Sequence, residues 1–248
     1  MISDNKKRTL KLTIAITILI LILSVAAIFM IKYEVEGETN MPFKLSRIVI
    51  VGSAEGIEVE SNEKKDINLN IYQNNYVHFY IDENNSEKIL IKNVKIDNIQ
   101  VTKNPQKGNV KVYMPNSEAG RQFNYDEQFL VENKLEYKGA SQSSTTNLEI
   151  GSRGGSALIC FSNADIGELS LNKEKQIIHD GTLLKEINVT KEEINFSVSF
   201  DFTIETTKAI YKANINLSLP TGNIGEEKRV YTEITDMDNI AFKRIKNY

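Results

Sequence analysis

The sequence predicts an all-β, sandwich-like extracytoplasmic body preceded by one N-terminal transmembrane α-helix. Three observations carry this. Residues 12–31, LTIAITILILILSVAAIFMI, form an uncharged apolar run broken only by the hydroxyls of Thr13, Thr17 and Ser24. Beyond it the hydrophobic period is mostly two, the period of a half-buried strand. The clearest case pairs Phe196, Val198, Phe200, Phe202 and Ile204 with Tyr211, Ala213, Ile215, Leu217 and Leu219 across a short connection at Thr206-Thr207-Lys208.

The apolar run, from Leu12 to Ile31, is a membrane helix by length. Twenty residues at 1.5 Å each span about 30 Å, the thickness of a bilayer's hydrocarbon core. A strand of that length would leave its backbone unsatisfied in lipid, whereas a helix bonds internally. The three hydroxyls can bond back to the preceding turn. Lys6, Lys7, Arg8 and Lys11 precede the run, and Lys32 alone follows it before Glu34, Glu36 and Glu38. The positive-inside rule therefore places residues 1–11 in the cytoplasm and the long remainder outside. A cleaved signal peptide is the competing reading, with small residues at Ser24-Val25-Ala26. Residues 27–31 continue the apolar run past that point, beyond the usual length of such a peptide's core.

Composition bounds the rest. Five of the 30 basic residues but only one of the 33 acids lie within residues 1–32, so the remaining body is net −7. That excludes a nucleic-acid ligand of the usual kind, which clusters Lys and Arg against phosphate. Lys243, Arg244 and Lys246 form one local basic cluster and read as a solvated end. The lone cysteine, Cys160, sits in the apolar run 157–161, so it reads as a small buried hydrophobe and leaves no intramolecular disulfide.

In chain order, residues 32–43 are a juxtamembrane linker and 44–248 the β-rich domain. Residues 47–52 (RIVIVG) read as a buried strand, and Ser53-Ala54-Glu55-Gly56 as a turn. Ile67, Leu69 and Ile71, then Val77, Phe79 and Ile81, then Ile89 and Ile91, alternate with polar residues. Ile99 and Val101, the breaker-rich residues 103–109, and Val110 and Val112 give a hairpin signal. Residues 115–128 are polar and weakly patterned, a candidate boundary between two lobes, and 139–147 form a loop. Gly151 to Ser156 reads as a glycine-rich turn between strands. Helix outside the membrane is expected only at 180–195, with Asp180 capping Thr182 onward and a capping box at Thr190-Lys191-Glu192-Glu193. Residues 230–234 add a last strand.

Candidate chemistry is sparse. Leu219-Pro220-Thr221-Gly222 lacks the spacing and hydrophobic tail of a cell-wall sorting signal and reads as a strand-ending turn. The 151–156 glycines lack the Lys-Ser/Thr of a phosphate loop. Residues 82–86 and 236–239 could offer oxygens to Ca²⁺, but read as solvated turns. His78, on a strand's polar phase, and His179, before an Asp-Gly turn, cannot make a zinc site without carboxylates. Ser61-Asn62-Glu63-Lys64 fits S-x-x-K in a polar loop, and no G-x-S-x-G is present. Asn188, Asn195 and Asn216 head glycosylation sequons that follow from an Asn-rich composition. No catalytic, cofactor or metal residue is assigned, and no cofactor is expected.

Residues 36–46 (EGETNMPFKLS), running into 48–51 and Ala54-Glu55-Gly56, together with Gly154-Gly155, residues 179–184 (HDGTLL) and 219–223 (LPTGN), resemble a family of uncharacterised membrane-anchored proteins of low-GC Gram-positive bacteria. The resemblance implies a single span and a bacterial setting, and brings no activity. The expectation is a non-enzymatic binding, scaffold or assembly module of the cell envelope, held in the bilayer by residues 12–31, with an envelope protein or glycan as partner. The alternatives are an envelope hydrolase using paired carboxylates, which would need them about 5–10 Å apart in a cleft, and a carbohydrate-binding module, which would need Tyr72, Tyr76 and Tyr80 in a row on one face.

Overall fold

The computed structural model describes residues 2–36, 40–59, 66–84, 88–113, 134–140, 148–172 and 176–248. It opens with α1 (Ile2–Glu36), which contains a 20-residue apolar window, Lys11–Met30, long enough to cross a membrane. None of that window is buried: its large apolar side chains run from 45% exposed at Val25 to 70% at Met30. Thr13, Thr17 and Ser24 donate to the carbonyls of Thr9, Thr13 and Ile20, so each hydroxyl is satisfied within the helix. The helix continues to Glu36, so the first residues of the expected linker are helical, an extension that Lys and Glu propensities favour.

The body is mostly strand: β1 (Phe43–Val59), β2 (Asp66–Glu83), β3 (Ile91–Lys103), β4 (Asn109–Tyr113), β5 (Leu135–Gly139), β6 (Glu149–Ile150) and β7 (Gly154–Asn172). Two short helices follow, α2 (Thr182–Glu186) and α3 (Lys191–Ile194), then β8 (Phe196–Thr206), β9 (Ala209–Leu219), α4 (Ile224–Glu227), β10 (Val230–Ile234) and β11 (Lys243–Asn247). Five strands form one sheet in the order β10-β1-β2-β7-β4, and six form the other in the order β11-β9-β8-β3-β5-β6. Both contribute to one apolar core. Phe79 of the first sheet meets Phe200 and Phe202 of the second at 5.7 and 4.9 Å between ring centroids, and Phe161 stacks on Phe200 at 5.6 Å.

The expected β8–β9 hairpin forms, in the register Phe196↔Leu219 through Glu205↔Ile210, and all ten alternating apolar residues are buried. Thr206 closes its turn, its hydroxyl accepting from the Ala209 N–H and donating to the Ala209 carbonyl. The 180–195 helix resolves into two single turns. Asp180 accepts from the Thr182 N–H at 2.8 Å, and Glu193 accepts from the Thr190 N–H at 2.9 Å.

Four expectations are corrected. Residues 53–56 do not turn: β1 passes straight through them, paired with β2 from Phe43↔Glu83 to Val59↔Asn68. The small residues there are demanded by packing, since a Cβ on Gly56 would sit 2.8 Å from Leu69 Cδ1 and one on Gly52 would sit 3.3 Å from Ile224 Cδ1. Residues 99–112 do not form a hairpin. β3 pairs with β8 and β5, β4 pairs with β7, and the loop between them crosses from one sheet to the other, docking its Gln106 and Lys107 N–H groups on the Glu193 carbonyl. The turn at 151–153 does join two strands, β6 and β7, but residues 230–234 are not the last strand, because β11 follows and pairs with β9. Helix outside α1 is not confined to 180–195, because α4 makes a further turn after Gly222. Residues 115–128, 61–64 and 141–147 lie outside the described residues.

The unexpected feature is length. At 17, 18 and 19 residues, β1, β2 and β7 exceed the common strand range of about 3–10. Their distal halves build a second core from Ala54, Leu69, Ile71, Ile166 and Leu171, covered by Leu183, Leu184, Ile194 and Ile224 of the short helices. Between the two cores lies a polar belt in which Gln73, Asn74, Asn75, Ser162 and Asn163 are all fully buried. Gln73 and Asn75 exchange amide hydrogen bonds at 3.0 and 3.1 Å, Asn75 donates to the Phe161 carbonyl, and Asn163 to the Lys107 carbonyl. These bonds favour one register, since a slip would break them, while Ser162 Oγ and Asn163 Oδ1 make no hydrogen bond.

Candidate functional site

The inner faces of both sheets are buried and, apart from the amide belt, apolar, which leaves the outer faces to solvent, and these differ. On the five-stranded sheet the alternation that buries Val77, Phe79 and Ile81 sends Tyr72, Asn74, Tyr76, His78 and Tyr80 of β2 to the outer side. Their cross-strand partners on β1 are Glu55, Ser53, Val51, Val49 and Arg47. On β10, Tyr231 is opposite Val51 and Glu233 opposite Val49. Tyr76 faces Cys160 of β7, which faces Tyr113 of β4. Tyr72, Tyr76 and Tyr80 thus share one face and are half-exposed, while Tyr231 is 66% exposed beside them. Tyr113 and Cys160 are buried at the base. Burial pushes the Cys160 thiol well above its ordinary pKa, which keeps it protonated and unreactive.

The tyrosines are held by specific partners. Tyr76 Oη donates to Glu55 Oε1 at 2.6 Å. The Arg47 guanidinium lies 4.4 Å from the Tyr80 ring centroid and pairs with Glu233 at 3.3 Å. His78 stacks on Tyr80 at 6.3 Å and 21°. Lys111 sits 5.8 Å from the Tyr72 ring. Burial lowers the His78 pKa, so its imidazole is neutral at neutral pH.

Beside this row opens a groove of about 290 Å³ lined by Val51, Ser53, Glu55, Tyr76, His78 and Arg229. Arg229 immediately precedes β10, whose Val230 pairs with Gly52. It also borders a shallower depression lined by Ile177, Ile178, His179, Asp180 and Lys228. There His179 Nδ1 accepts from the Gly56 N–H at 3.2 Å. Glu55 and Arg229 form no ion pair with each other among the described residues.

The outer face of the six-stranded sheet is a dense polar network, in which Asn93 Oδ1 and Asp97 Oδ1 accept no hydrogen bond. Asp201 pairs with Lys212 at 2.6 Å and accepts from Asn98 and Asn214. Asp97, opposite it, pairs with Lys95 at 2.5 Å. Glu136 takes Lys138 at 2.5 Å, Lys134 at 3.5 Å and the Asn93 amide. Burial raises the Asp201 and Glu136 pKa values, but the lysines and amides outweigh it and hold both carboxyls below their usual range. Asp97 and Asp201 are carboxylate neighbours, yet each is occupied by its own lysine on a sheet face.

The remaining motifs fall into structural roles. At 236–239 the Asp236 carboxylate accepts from the Asp238 N–H, and the Ile240 N–H donates to the Met237 carbonyl, closing a turn. Arg153 of the glycine turn pairs with Glu83 at 3.0 Å, and Ser152 accepts from the Ile91 N–H. Among the described residues, no group of three His, Cys, Asp or Glu is placed to hold a metal ion. Sequence reasoning marked the tyrosine row but missed Glu55, which it placed in a turn, and Arg229 and Tyr231. No known protein family, curated protein or solved structure matches the chain.

Proposed function

We propose that this chain is a single-span, N-in membrane protein that displays a two-sheet β-sandwich outside the cytoplasmic membrane. The sandwich serves as a non-enzymatic binding module of the cell envelope. The anchor rests on an apolar window whose side chains find no partner in the body, and the orientation on the basic residues before it. The body's net −7 keeps it off anionic lipid headgroups. The observation that carries the binding reading is the groove at Glu55, Tyr76, His78 and Arg229 on a tyrosine-rich sheet face. Mixed polar groups converging on a concavity beside aromatic rings suit recognition. An envelope hydrolase draws less support, because the one cross-strand carboxylate pair among the described residues, Asp97 and Asp201, is bound up with lysines.

A carbohydrate-binding reading is favoured by one specific observation: Tyr72, Tyr76 and Tyr80 share a face. Against it, the ring faces of Tyr80 and Tyr72 are already approached by Arg47 and Lys111, the positions a stacked sugar would take.

The test is retention of the full chain, reconstituted in nanodiscs, on isolated envelope material. The double variant Tyr76→Phe/Tyr231→Ala is expected to lose most of the retention, and Asn214→Ala/Asn216→Ala on the opposite face to keep it. Equal retention by both variants would overturn the assignment of the face. For the anchor, a periplasmic-type reporter fused after Tyr248 is expected to be active. A reporter active only in its cytoplasmic form would reverse the orientation.

A further inference from the structure

The groove beside the tyrosine row carries two opposite charges that do not neutralise each other. Glu55 and Arg229 both line it, and no ion pair joins them among the described residues. Val230 pairs with Gly52, which brings Arg229 alongside Ser53, with Glu55 two residues further along β1. Diagonal neighbours on one sheet face stand about 7–8 Å apart, a gap that a small ligand can bridge. Tyr76 donates to Glu55 Oε1, which holds in place a carboxylate with acceptor capacity for further donors. Ser53 supplies an uncharged hydroxyl between the two ends, and Val51 and His78 line the groove on the far side of Arg229 from Glu55.

We propose that this groove binds a short zwitterionic peptide, with the ligand's ammonium on Glu55 and its carboxylate on Arg229. The inference rests on the tyrosine face being the binding surface and names the ligand class for it. Guanidinium presents a planar fork that matches a carboxylate bidentately, and hydrogen bonds between charged partners are about twice as strong as neutral ones. A ligand with only one charge would engage one end alone and forgo the second charge-assisted hydrogen bond, which costs affinity. A neutral sugar would satisfy neither charge. It would also have to displace Arg47 or Lys111 to stack on Tyr80 or Tyr72.

The experiment is calorimetric titration of the full chain in nanodiscs with alanyl-alanine, its N-acetyl form, its C-terminal amide and cellobiose. Binding of alanyl-alanine is expected, at least ten-fold weaker for each blocked form, with no heat from cellobiose. Glu55→Gln and Arg229→Gln should each weaken alanyl-alanine at least ten-fold, with Glu55→Gln matching the loss caused by N-acetylation. The blocked peptides test the same contacts without touching the protein, so a folding defect in either variant cannot mimic the result. Peptide binding insensitive to blocking, or cellobiose binding that Glu55→Gln abolishes, would overturn the zwitterion assignment. No peptide binding, with envelope retention still lost in Tyr76→Phe/Tyr231→Ala, would overturn this inference and leave the binding face standing. Failure of both measurements would remove both.

Discussion

The two outer faces of the body come from the same strand alternation and are finished in opposite ways. On the six-stranded sheet, Asp201, Asp97 and Glu136 are each matched to a lysine, and the Asn93, Asn98 and Asn214 amide groups donate to them. On the five-stranded sheet, tyrosines and a neutral histidine flank a groove whose carboxylate and guanidinium remain apart. A face whose groups satisfy one another contributes to stability and has little left to offer a ligand. A face whose charges are held separate retains that capacity. Substitutions should therefore divide into those that cost stability and those that cost binding, according to the face they touch.

The scale is set by the core beneath both faces. Phe200→Ala removes a ring that contacts Phe79 and Phe161 of the opposite sheet and is expected to cost about 3–5 kcal/mol in denaturant unfolding. A loss below about 1 kcal/mol would mean that the sheets are not packed as described. On the polar face, Asp201→Ala strands Lys212, Asn98 and Asn214 together, for an expected loss of about 2 kcal/mol.

The same face should govern acid sensitivity. Asp201 and Glu136 are held below the ordinary carboxylate range in the folded protein. Their contribution is therefore fully present above the unfolded-state values, about pH 4, and is lost as pH falls through the lower folded-state values. Unfolding free energy measured from pH 6 to pH 2 should fall below about pH 4, with a shallower slope in Asp201→Asn; an unchanged slope would remove Asp201 from the account.

The tyrosine face should respond less in stability. Tyr76→Phe deletes the hydrogen bond to the Glu55 carboxylate and the long one, 3.5 Å, accepted from the Asn74 amide, for about 1 kcal/mol. Tyr231→Ala, the smallest effect, should fall within about 0.5 kcal/mol. A larger loss at Tyr231 than at Asp201 would invert the comparison.

How legible each part was follows from the residues. The β8–β9 hairpin and its buried face were readable because ten apolar residues alternate without interruption. The apolar window of α1 was readable because length and charge alone decide it. The long strands were not. Gln73-Asn74-Asn75 and Ser53 to Gly56 carry the composition of loops, and only the contacts of the buried belt and the tight approaches to Leu69 and Ile224 explain them as strand. The apparent 99–112 hairpin misled because alternation reveals a strand but not the sheet it joins. Of the site, the tyrosine row could be read from its spacing. Glu55 was hidden by the apolar Val49 and Val51 in its own outward phase. Arg229 was hidden because a sheet pairing across most of the chain brings it there.

The most direct test of the division between faces is photo-crosslinking in cells, with benzoylphenylalanine placed at Tyr231 or at Asn216, the two being exposed on opposite outer faces. Envelope adducts are expected from position 231, diminished by Glu55→Gln, with none from position 216. Adducts from position 216 and none from 231 would contradict the account.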